Sequence, residues 1–245
     1  MYTFANRKIL VTGSSRGIGR AVAERLSATG ATLGIHGRDA SRVEAACGEL
    51  AGRGSKAIPL VFDFSDPAQA VSAVRAFCDR AGGIDGLVNN AGGGKASAFR
   101  GMALEKWRST FSVNLEAAML AAREAYSAMR SGGGTIVNIA SIAAHGPGKW
   151  MGADYAASKA GLVSITKSLA FEAARFGIRV NAVSPGLVDT DMTAILPEET
   201  RKGLNIPLGR FAAPAEVAAA VAFLLSDASA YITGEVLHVD GGLWM

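Results

Sequence analysis

Tyr155 and Lys159 are four residues apart in a segment with helical spacing, so the phenol and the ammonium group share one face of the predicted helix. A free tyrosine has a pKa near ~10, which is too high for efficient proton exchange near neutral pH. An ammonium group at ~4 Å, with an effective dielectric constant of ~20, attracts the phenolate by ~4 kcal/mol and should lower that pKa. The pair could therefore give or take a proton, although the same spacing alone is more often a helix-surface pair.

A glycine-rich turn occupies residues 12–19, directly after the first apolar run and at the start of a helical segment. Its glycines follow the spacing Gly-x-x-x-Gly-x-Gly, which differs from the commoner Gly-x-Gly-x-x-Gly. Glycine lets the backbone come close to a pyrophosphate, and the N-terminus of the following helix favours negative charge. The position of the turn predicts a dinucleotide site; a turn that only reverses the chain is the alternative.

Short apolar runs that alternate with helical segments predict the elements that position these residues. Because such an alternation is typical of a parallel sheet covered on both faces, we expect an α/β fold. The predicted architecture is a single-domain Rossmann fold over residues 1–245, with a doubly wound parallel sheet of about seven strands flanked by helices. Residues 187–211 lie between a strand and a helix and are predicted to form a substrate lid, with an ordinary surface loop as the alternative. The strands are predicted at residues 9–11, 31–36, 57–62, 87–88, 135–139, 178–183 and 236–239.

The composition limits the class of protein. Hydrophobic residues make up 49% and charged residues 19% of the chain, a balance that argues against disorder. We predict no membrane helix and no signal peptide, and therefore expect a cytoplasmic protein. Two cysteines and three scattered histidines suggest neither a disulfide framework nor a metal site. The net charge of +4 comes without a Lys/Arg run, so nucleic acid is not an expected partner.

Further motifs follow the glycine turn in order along the chain. Together they resemble the short-chain dehydrogenase/reductase family over nearly the full length, and residues 14–20 and 231–234 are most similar to bacterial 3-oxoacyl-(acyl-carrier-protein) reductases. Ser141 and Tyr155 are about one residue further apart than is commonest in the family, which affects the shape of the pocket rather than the chemistry. The motifs are residues 89–92 (Asn-Asn-Ala-Gly), Asn114, Ser141, residues 155–159 (Tyr-Ala-Ala-Ser-Lys), residues 181–186 (Asn-Ala-Val-Ser-Pro-Gly) and residues 234–242.

The resemblance implies an oxidoreductase in which four side chains carry the chemistry. Tyr155 would be the proton donor or acceptor, and Ser141 would hydrogen-bond the substrate oxygen and stabilise its developing charge. Lys159 would also hold the nicotinamide ribose, and Asn114 would support a water that links Lys159 to solvent. The residues expected to bind the cofactor are Gly13, Ser15, Arg16, Gly17, Ile18, Gly19, Arg38, Asp63, Phe64, Asn90, Ala91, Gly92, Tyr155, Lys159, Pro185, Gly186, Val188 and Thr190.

The end of the second strand bears on the choice between NAD(H) and NADP(H). Family members that prefer NAD(H) usually place an acidic residue there, which binds the ribose hydroxyls and repels a 2′-phosphate. Here Gly37 takes that place and Arg38 follows, with a guanidinium fork suited to phosphate. A shift of one residue would place His36 there and still supply no acid. Arg16 is a second cation within reach, while Asp39 could compete for Arg38; we therefore expect NADP(H).

The substrate is less constrained than the reaction. The resemblance favours a 3-oxoacyl thioester on acyl carrier protein, as in fatty acid biosynthesis, and Arg130 and Arg175 are candidates for a basic docking patch near the pocket mouth. Sugar, polyol and steroid dehydrogenases share much of the pattern and stay alternatives. A non-catalytic nucleotide-binding regulator is a further alternative, although such a protein would be expected to lose Ser141, Tyr155 or Lys159.

The family resemblance also implies a homotetramer. The segments at residues 107–128 and 153–176 are long and rich in alanine and other apolar residues. In the family, the matching helices pack against their copies in a neighbouring subunit. The alternative is that these residues only cover the sheet.

Overall fold

The predicted apolar runs form the strands of one parallel sheet. The structure is a computed structural model that describes residues 2–148, 151–194 and 203–244. Its strands are β1 Lys8–Val11, β2 Thr32–Gly37, β3 Lys56–Val61, β4 Gly86–Asn89, β5 Gly134–Ile139, β6 Ile178–Pro185 and β7 Val236–Val239. They are ordered β3-β2-β1-β4-β5-β6-β7, and each neighbouring pair is parallel. The predicted seven-stranded parallel sheet is confirmed.

Helices connect the strands, and their ends follow local signals in the sequence. Asp39 caps the second helix by accepting from the Arg42 N–H, and Gly82 ends the third in the left-handed conformation, with a φ of 75°. A π-helical turn, Ser112–Glu116, separates the fourth helix from the fifth. The helices are α1 Gly17–Ser27, α2 Ala40–Ala51, α3 Ala68–Ala81, α4 Leu104–Phe111, α5 Ala117–Met129, α6 Ala153–Ala173, α7 Asp191–Ala194 and α8 Pro214–Leu225.

The core lies on both faces of the sheet. Because successive strand residues point to opposite faces, Ile9 and Val11 pack on one side while Leu10 packs on the other. The first side is covered by apolar residues of α1, α2 and α8, and the second by those of α3, α5 and α6. This double cover is the doubly wound Rossmann arrangement that the alternating pattern predicts.

The strand order reverses between β1 and β4, which are neighbours in the sheet although two strands separate them in the chain. In open α/β sheets, ligands bind outside the carboxyl ends of the strands at such a reversal. The glycine turn follows β1 at this edge, Asn90 follows β4 and Ser141 follows β5. The topology therefore gathers three of the predicted motifs on one side of the molecule.

The two ends of the segment predicted as a lid lie side by side and are hydrogen-bonded to each other. Val188 and Ala212 form a parallel bridge, in which the Asp189 N–H donates to the Ala212 carbonyl at 2.8 Å. Residues 195–202, the middle of the segment, lie outside the described residues, so its role as a lid stays a prediction. None of the helices within the described ranges is both long and apolar enough to cross a membrane.

Candidate active site

The glycine turn is fastened to the end of β4. The Thr12 hydroxyl accepts from the N–H groups of Asn90 and Ala91, each at 2.9 Å, and the Asn90 amide donates to the carbonyls of Thr12 and Gly13 at 2.9 Å. Gly13 has a φ of +63°, and a Cβ there would lie 2.9 Å from the Ala91 Cα. A Cβ on Gly19 would lie 2.4 Å from the Asn90 Nδ2 atom. The glycines therefore bring α1 and the β4 end into contact that a side chain would prevent.

A buried histidine supports the same turn. His36 accepts from the Gly13 N–H at Nδ1, over 3.0 Å, and its Nε2 lies 3.1 Å from the Phe62 carbonyl oxygen. Its ring stacks on Phe64 with centroids 4.1 Å apart. Burial lowers the pKa of His36 to about 4, against the opposing effects of the Phe62 bond and the Asp63 charge. The imidazole is therefore neutral near pH 7, with its proton on Nε2, where it donates to Phe62.

This role of His36 was not predicted from the sequence, where His36 entered only as an alternative to Gly37 at the position of the acid in NAD(H)-preferring enzymes. The available signal was a histidine near the end of the apolar run of β2, which must find hydrogen-bond partners when the strand is buried. Thr12 was also missed: the motif includes it, but its function depends on the end of β4, which is distant in sequence.

Asn114 lies in the π-helical turn and holds the loop that follows β4. Its Oδ1 accepts from the Gly93 N–H at 2.9 Å, and its Nδ2 donates to the Gly93 carbonyl at 2.9 Å and to the Ser158 hydroxyl at 3.1 Å. π-helical turns often mark functional positions, since the extra residue re-aims a side chain. Here the turn aims a fully buried amide at α6 and at the β4 loop.

The structure brings Ser141, Tyr155 and Lys159 together at the carboxyl end of β5. The Tyr155 phenol lies next to the Ser141 hydroxyl, and the Lys159 ammonium lies 5.8 Å from the centre of the Tyr155 ring. The ammonium also donates to the Ile139 carbonyl at 2.7 Å. The Ser141 hydroxyl accepts from the Ala143 N–H at 3.2 Å, which leaves its own proton to donate. This geometry suits a group that exchanges a proton with an oxygen placed between Ser141 and Tyr155.

The pKa values of the buried pair differ from the sequence-based expectation. Burial raises the pKa of Tyr155 above its ordinary value, although the hydrogen bond from Ser141 opposes the rise. Burial also lowers the pKa of Lys159, to about 8. The expected lowering of the Tyr155 pKa by Lys159 is therefore wrong for the described site, because desolvation disfavours phenolate and ammonium alike.

The predicted cofactor residues lie along the same edge of the sheet, with two arginines in different situations. Arg16 forms an exposed ion pair with Asp191 at 2.9 Å. Such a pair contributes at most ~1 kcal/mol, so a phosphate could replace the carboxylate. Arg38 is exposed and has no ion-pair partner within the described ranges, while Asp39 pairs with Arg42 at 3.4 Å. Because Asp39 pairs with Arg42, it competes less with a phosphate for Arg38 than the sequence suggested.

Other predicted cofactor residues surround this edge from β3 and β6. Thr190 approaches the turn, since a Cβ on Gly17 would lie 3.7 Å from its Cγ2 atom. Gly186 packs tightly on Asp240, where a Cβ would lie 2.8 Å from the Asp240 Cα. Asp63 accepts from the Ser65 N–H at 3.0 Å, and this bond holds its pKa below the usual value. The predicted residues that complete this edge are Ser15, Ile18, Phe64, Gly92, Pro185 and Val188.

Arg130 and Arg175 do not lie near this site. Both are exposed, and their guanidinium carbons are 4.7 and 4.8 Å from the centre of the Phe176 ring. However, Arg130 precedes β5 and Arg175 precedes β6, so they lie at the amino ends of the strands, opposite the edge that holds Ser141. The length of α6 places Arg175 ~30 Å from Tyr155 at ~1.5 Å per residue. The prediction of a basic patch at this chain's own pocket mouth is wrong.

Comparisons with known proteins agree over almost the whole chain. A family model described as Enoyl-(Acyl carrier protein) reductase matches residues 13–244. The chain is 42% identical to the 3-oxoacyl-[acyl-carrier-protein] reductase FabG of Aquifex aeolicus over 239 residues, which cover 96% of each protein. It is 40% identical to the FabG of Escherichia coli over 245 residues, with 99% of each covered. A solved short-chain type dehydrogenase/reductase from Mycobacterium marinum is 34% identical, with a TM-score of 0.92 and coverage of 98% of this chain and 96% of that one.

The chain belongs to the short-chain dehydrogenase/reductase family. It is an oxidoreductase of carbonyl and alcohol groups that uses a nicotinamide cofactor. The edge of the sheet fits that cofactor as this family requires, because Gly13 and Gly19 bring the turn to the β4 end without side chains in between. Arg16 caps α1 without a side-chain bond to its first N–H groups, and a helix N-terminus of this kind suits a pyrophosphate.

Proposed function

We propose that this enzyme is an NADP(H)-dependent reductase that interconverts a 3-oxoacyl thioester and its secondary alcohol, with acyl carrier protein as the carrier and the cytoplasm as its location. The observation that carries the reaction type is the placement of the Tyr155 phenol next to the Ser141 hydroxyl, with Tyr155 and Lys159 buried side by side at the edge where the glycine turn lies. The relatives named as 3-oxoacyl-(acyl-carrier-protein) reductases support the substrate class.

Two hydroxyl groups act on the substrate oxygen. The bound nicotinamide cofactor supplies or accepts the hydride. The Ser141 hydroxyl, oriented by the Ala143 N–H, donates a hydrogen bond to the carbonyl oxygen and stabilises the negative charge that develops there. The Tyr155 phenol, with its pKa raised by burial, is protonated near neutral pH and gives its proton to the same oxygen. In the alcohol-to-carbonyl direction, Tyr155 acts as the phenolate and takes the proton of the alcohol hydroxyl, while Ser141 hydrogen-bonds the same oxygen as before.

Lys159 and Asn114 support the proton donor. One of the three ammonium protons of Lys159 goes to the Ile139 carbonyl; the other two have no hydrogen-bond acceptor among the described residues and can hold the ribose hydroxyls of the cofactor. A Cβ on Gly92 would lie 2.9 Å from the Asn114 Oδ1 and 3.4 Å from the Lys159 Nζ, so the β4 loop runs directly alongside both. In this proposal, Asn114 orders that loop and supports the water that returns a proton to Lys159.

Arg38 is the residue that we assign to the 2′-phosphate of NADP(H). It follows Gly37, whose missing side chain leaves space beside the Ser15 hydroxyl; a Cβ there would lie 3.2 Å from that oxygen. We expect Arg38→Ala to bind NADPH about tenfold to a hundredfold more weakly, with little change for NADH, because one charge-assisted bond to phosphate is worth ~1.5–3 kcal/mol. Separate titrations of the two cofactors into wild type and variant measure this difference.

The matched control is Arg53→Ala, which removes the same charge from an exposed position just after the end of α2. It should leave both affinities as in the wild type. Equal wild-type affinities for NADPH and NADH, or tighter NADH binding, would contradict the assignment of NADP(H).

The substrate proposal is tested with a panel of carbonyl compounds and alcohols. A short 3-oxoacyl thioester and a 3-oxoacyl carrier protein should give the highest kcat/KM. Good turnover of a sugar, polyol or steroid, with none of either thioester, would reverse the ranking.

A further inference from the structure

The loop after β4 passes directly across the proposed proton donor. Asn114 binds both the N–H and the carbonyl of Gly93, each at 2.9 Å. The next residue, Gly94, lies flat against Tyr155, since a Cβ there would be 2.9 Å from the Tyr155 Cδ2 atom. Residues 93–97, named here the ring loop, therefore form one wall of the site, and their position sets the space around the phenol.

Lys106, on α4, holds the far end of the ring loop. Its ammonium donates to the Lys95 carbonyl at 2.6 Å and to the Ser97 hydroxyl, and it lies 3.4 Å from the Asp154 Oδ2. These three partners use the three protons of the ammonium group. Its side chain is 28% exposed, so the group is largely withdrawn from water. Lys106 therefore holds the ring loop at two points, the backbone of Lys95 and the side chain of Ser97.

Asp154 directly precedes Tyr155 in the first turn of α6 and has no solvent exposure. Its Oδ2 accepts from the Thr110 hydroxyl at 2.8 Å, whereas its Oδ1 has no hydrogen-bond partner among the described residues. A buried carboxylate is costly unless it is paired, so a neutral residue would be easier to accommodate here. The negative charge of Asp154, however, attracts the ammonium of Lys106 strongly, which a neutral residue would not do.

We propose that Lys106 and Asp154 are positioning residues, whose ion pair fastens the ring loop to the helix turn that carries Tyr155. Neighbouring residues on a helix point in different directions, so Asp154 can face α4 while Tyr155 faces Ser141. The pair connects α4, α6 and the ring loop, and it sets the distance between the phenol and the wall that Gly94 forms. This inference rests on the proposed role of Tyr155 as the proton donor.

The test uses Asp154→Asn, Lys106→Met and the variant that carries both changes. Asp154→Asn keeps an oxygen for Thr110 but removes the charge, and the double variant leaves no uncompensated buried carboxylate. For each variant, kcat is measured with the best carbonyl substrate of the panel and NADPH, the Kd for NADPH is measured by titration, and amide hydrogen exchange is followed in a peptide that contains the ring loop. The control is Arg75→Met, which breaks the α3–α5 ion pair with Glu124 at 2.8 Å.

We expect each single variant to lose about tenfold to a hundredfold in kcat, since small displacements of a reacting group have effects of that size. The Kd for NADPH should stay within about twofold of the wild type, and the ring-loop amides should exchange at least about tenfold faster. The double variant should be no worse than the worse single one, because both changes break the same contact. Arg75→Met should match the wild type in all three measurements.

Two results would overturn the inference. One is unchanged exchange of the ring loop in every variant. The other is a lower melting temperature with wild-type kcat for the folded enzyme, which would mean that the pair only stabilises the fold. If the wild type turns over no carbonyl compound at all, the proposed function fails instead, and the exchange of the ring-loop amides alone decides whether Lys106 and Asp154 hold the loop.

Discussion

Tyr155 gives the proton in the proposed reaction, and its buried hydroxyl makes a specific prediction at the scale of one residue. Tyr155→Phe removes the proton donor and leaves the volume of the site nearly unchanged. We expect the variant to bind NADPH normally and to lose ~10²- to 10⁴-fold in kcat, the usual contribution of a general acid. Steady-state kinetics and a cofactor titration measure the two effects separately.

Tyr231→Phe is the matched control, because Tyr231 is fully exposed and lies outside the site. It should keep wild-type kcat. Near wild-type turnover by Tyr155→Phe on the best substrate would remove Tyr155 from the mechanism.

His36 predicts a dependence of stability on pH. Its pKa is about 4 in the folded protein against 6.5 in the unfolded chain, so the unfolded chain takes up the proton first as the pH falls. The contribution is complete above pH ~6.5, and the free energy of unfolding should fall by up to ~3 kcal/mol as the pH is lowered toward 4. In His36→Gln this part of the pH dependence should be absent. Urea unfolding at pH 7 and pH 4.5 compares the two proteins.

Arg53→Gln, at an exposed position after the end of α2, serves as the control and should keep the wild-type pH dependence. The same loss of stability between the two pH values in wild type and His36→Gln would show that His36 is not the group responsible.

The contacts of a single residue could be predicted from the sequence when the residue it contacts is near in sequence or belongs to a known motif. Tyr155 and Lys159 share a helix face, so their proximity follows from their spacing. Asp154 stands beside Tyr155 in sequence but takes its meaning from Lys106, 48 positions earlier on another helix. No periodicity indicates such a pair, because it forms only when α4 packs on α6.

At the scale of the elements, the approach of α1 to the end of β4 depends on Gly19. A Cβ there would lie 2.4 Å from the Gly13 carbonyl oxygen and from the Asn90 amide, so Gly19→Ala should displace the glycine turn. We expect the variant to lose ~1–3 kcal/mol in the free energy of unfolding, as for other overpacked sites, and to bind NADPH more weakly. Urea unfolding and a cofactor titration test both effects.

Gly48→Ala is the control for the intrinsic effect of the substitution, since Gly48 lies within α2 and, apart from its own helix backbone and chain neighbours, no described atom lies within 4 Å of the place a Cβ would take. There the change should raise stability by ~0.5–1 kcal/mol through helix propensity. If Gly19→Ala were as stable as Gly48→Ala, the contact between α1 and β4 would not require glycine.

The strands were the most predictable elements, and no strand end differs from its predicted position by more than two residues. Most of the strands are short apolar runs buried on both faces, so their hydrophobicity alone indicates them. The π-helical turn Ser112–Glu116 and the short helix α7 have no such signal. The turn continues the helical pattern and differs only in its hydrogen bonds, which the order of residue types does not reveal.

At the scale of the whole molecule, we expect a homotetramer in which the faces of α5 and α6 pack on their copies. Phe171, on α6, is 92% exposed in the single chain, and burying a side chain of this size contributes ~1.5–3 kcal/mol. Light scattering should give about four times the 25.1 kDa mass of one chain. Phe171→Glu should lower that mass, because it places a charge in the interface.

Phe99→Glu provides the comparison, as Phe99 is 77% exposed but lies outside these helices. Its mass should equal that of the wild type. A single-chain mass for the wild type at micromolar concentration would refute the tetramer.

One edge of the sheet is closed to further strands. The Phe62 N–H donates to the Gly37 carbonyl, so alternate residues of β3 face β2 and Pro59 faces outward. Proline has no N–H to offer, and the Arg80 side chain covers the Pro59 carbonyl at 2.6 Å. An exposed edge strand is a template for aggregation, and a proline and a cation are two ways in which natural proteins prevent it. The β3 edge is therefore protected against the uncontrolled addition of a strand from another polypeptide.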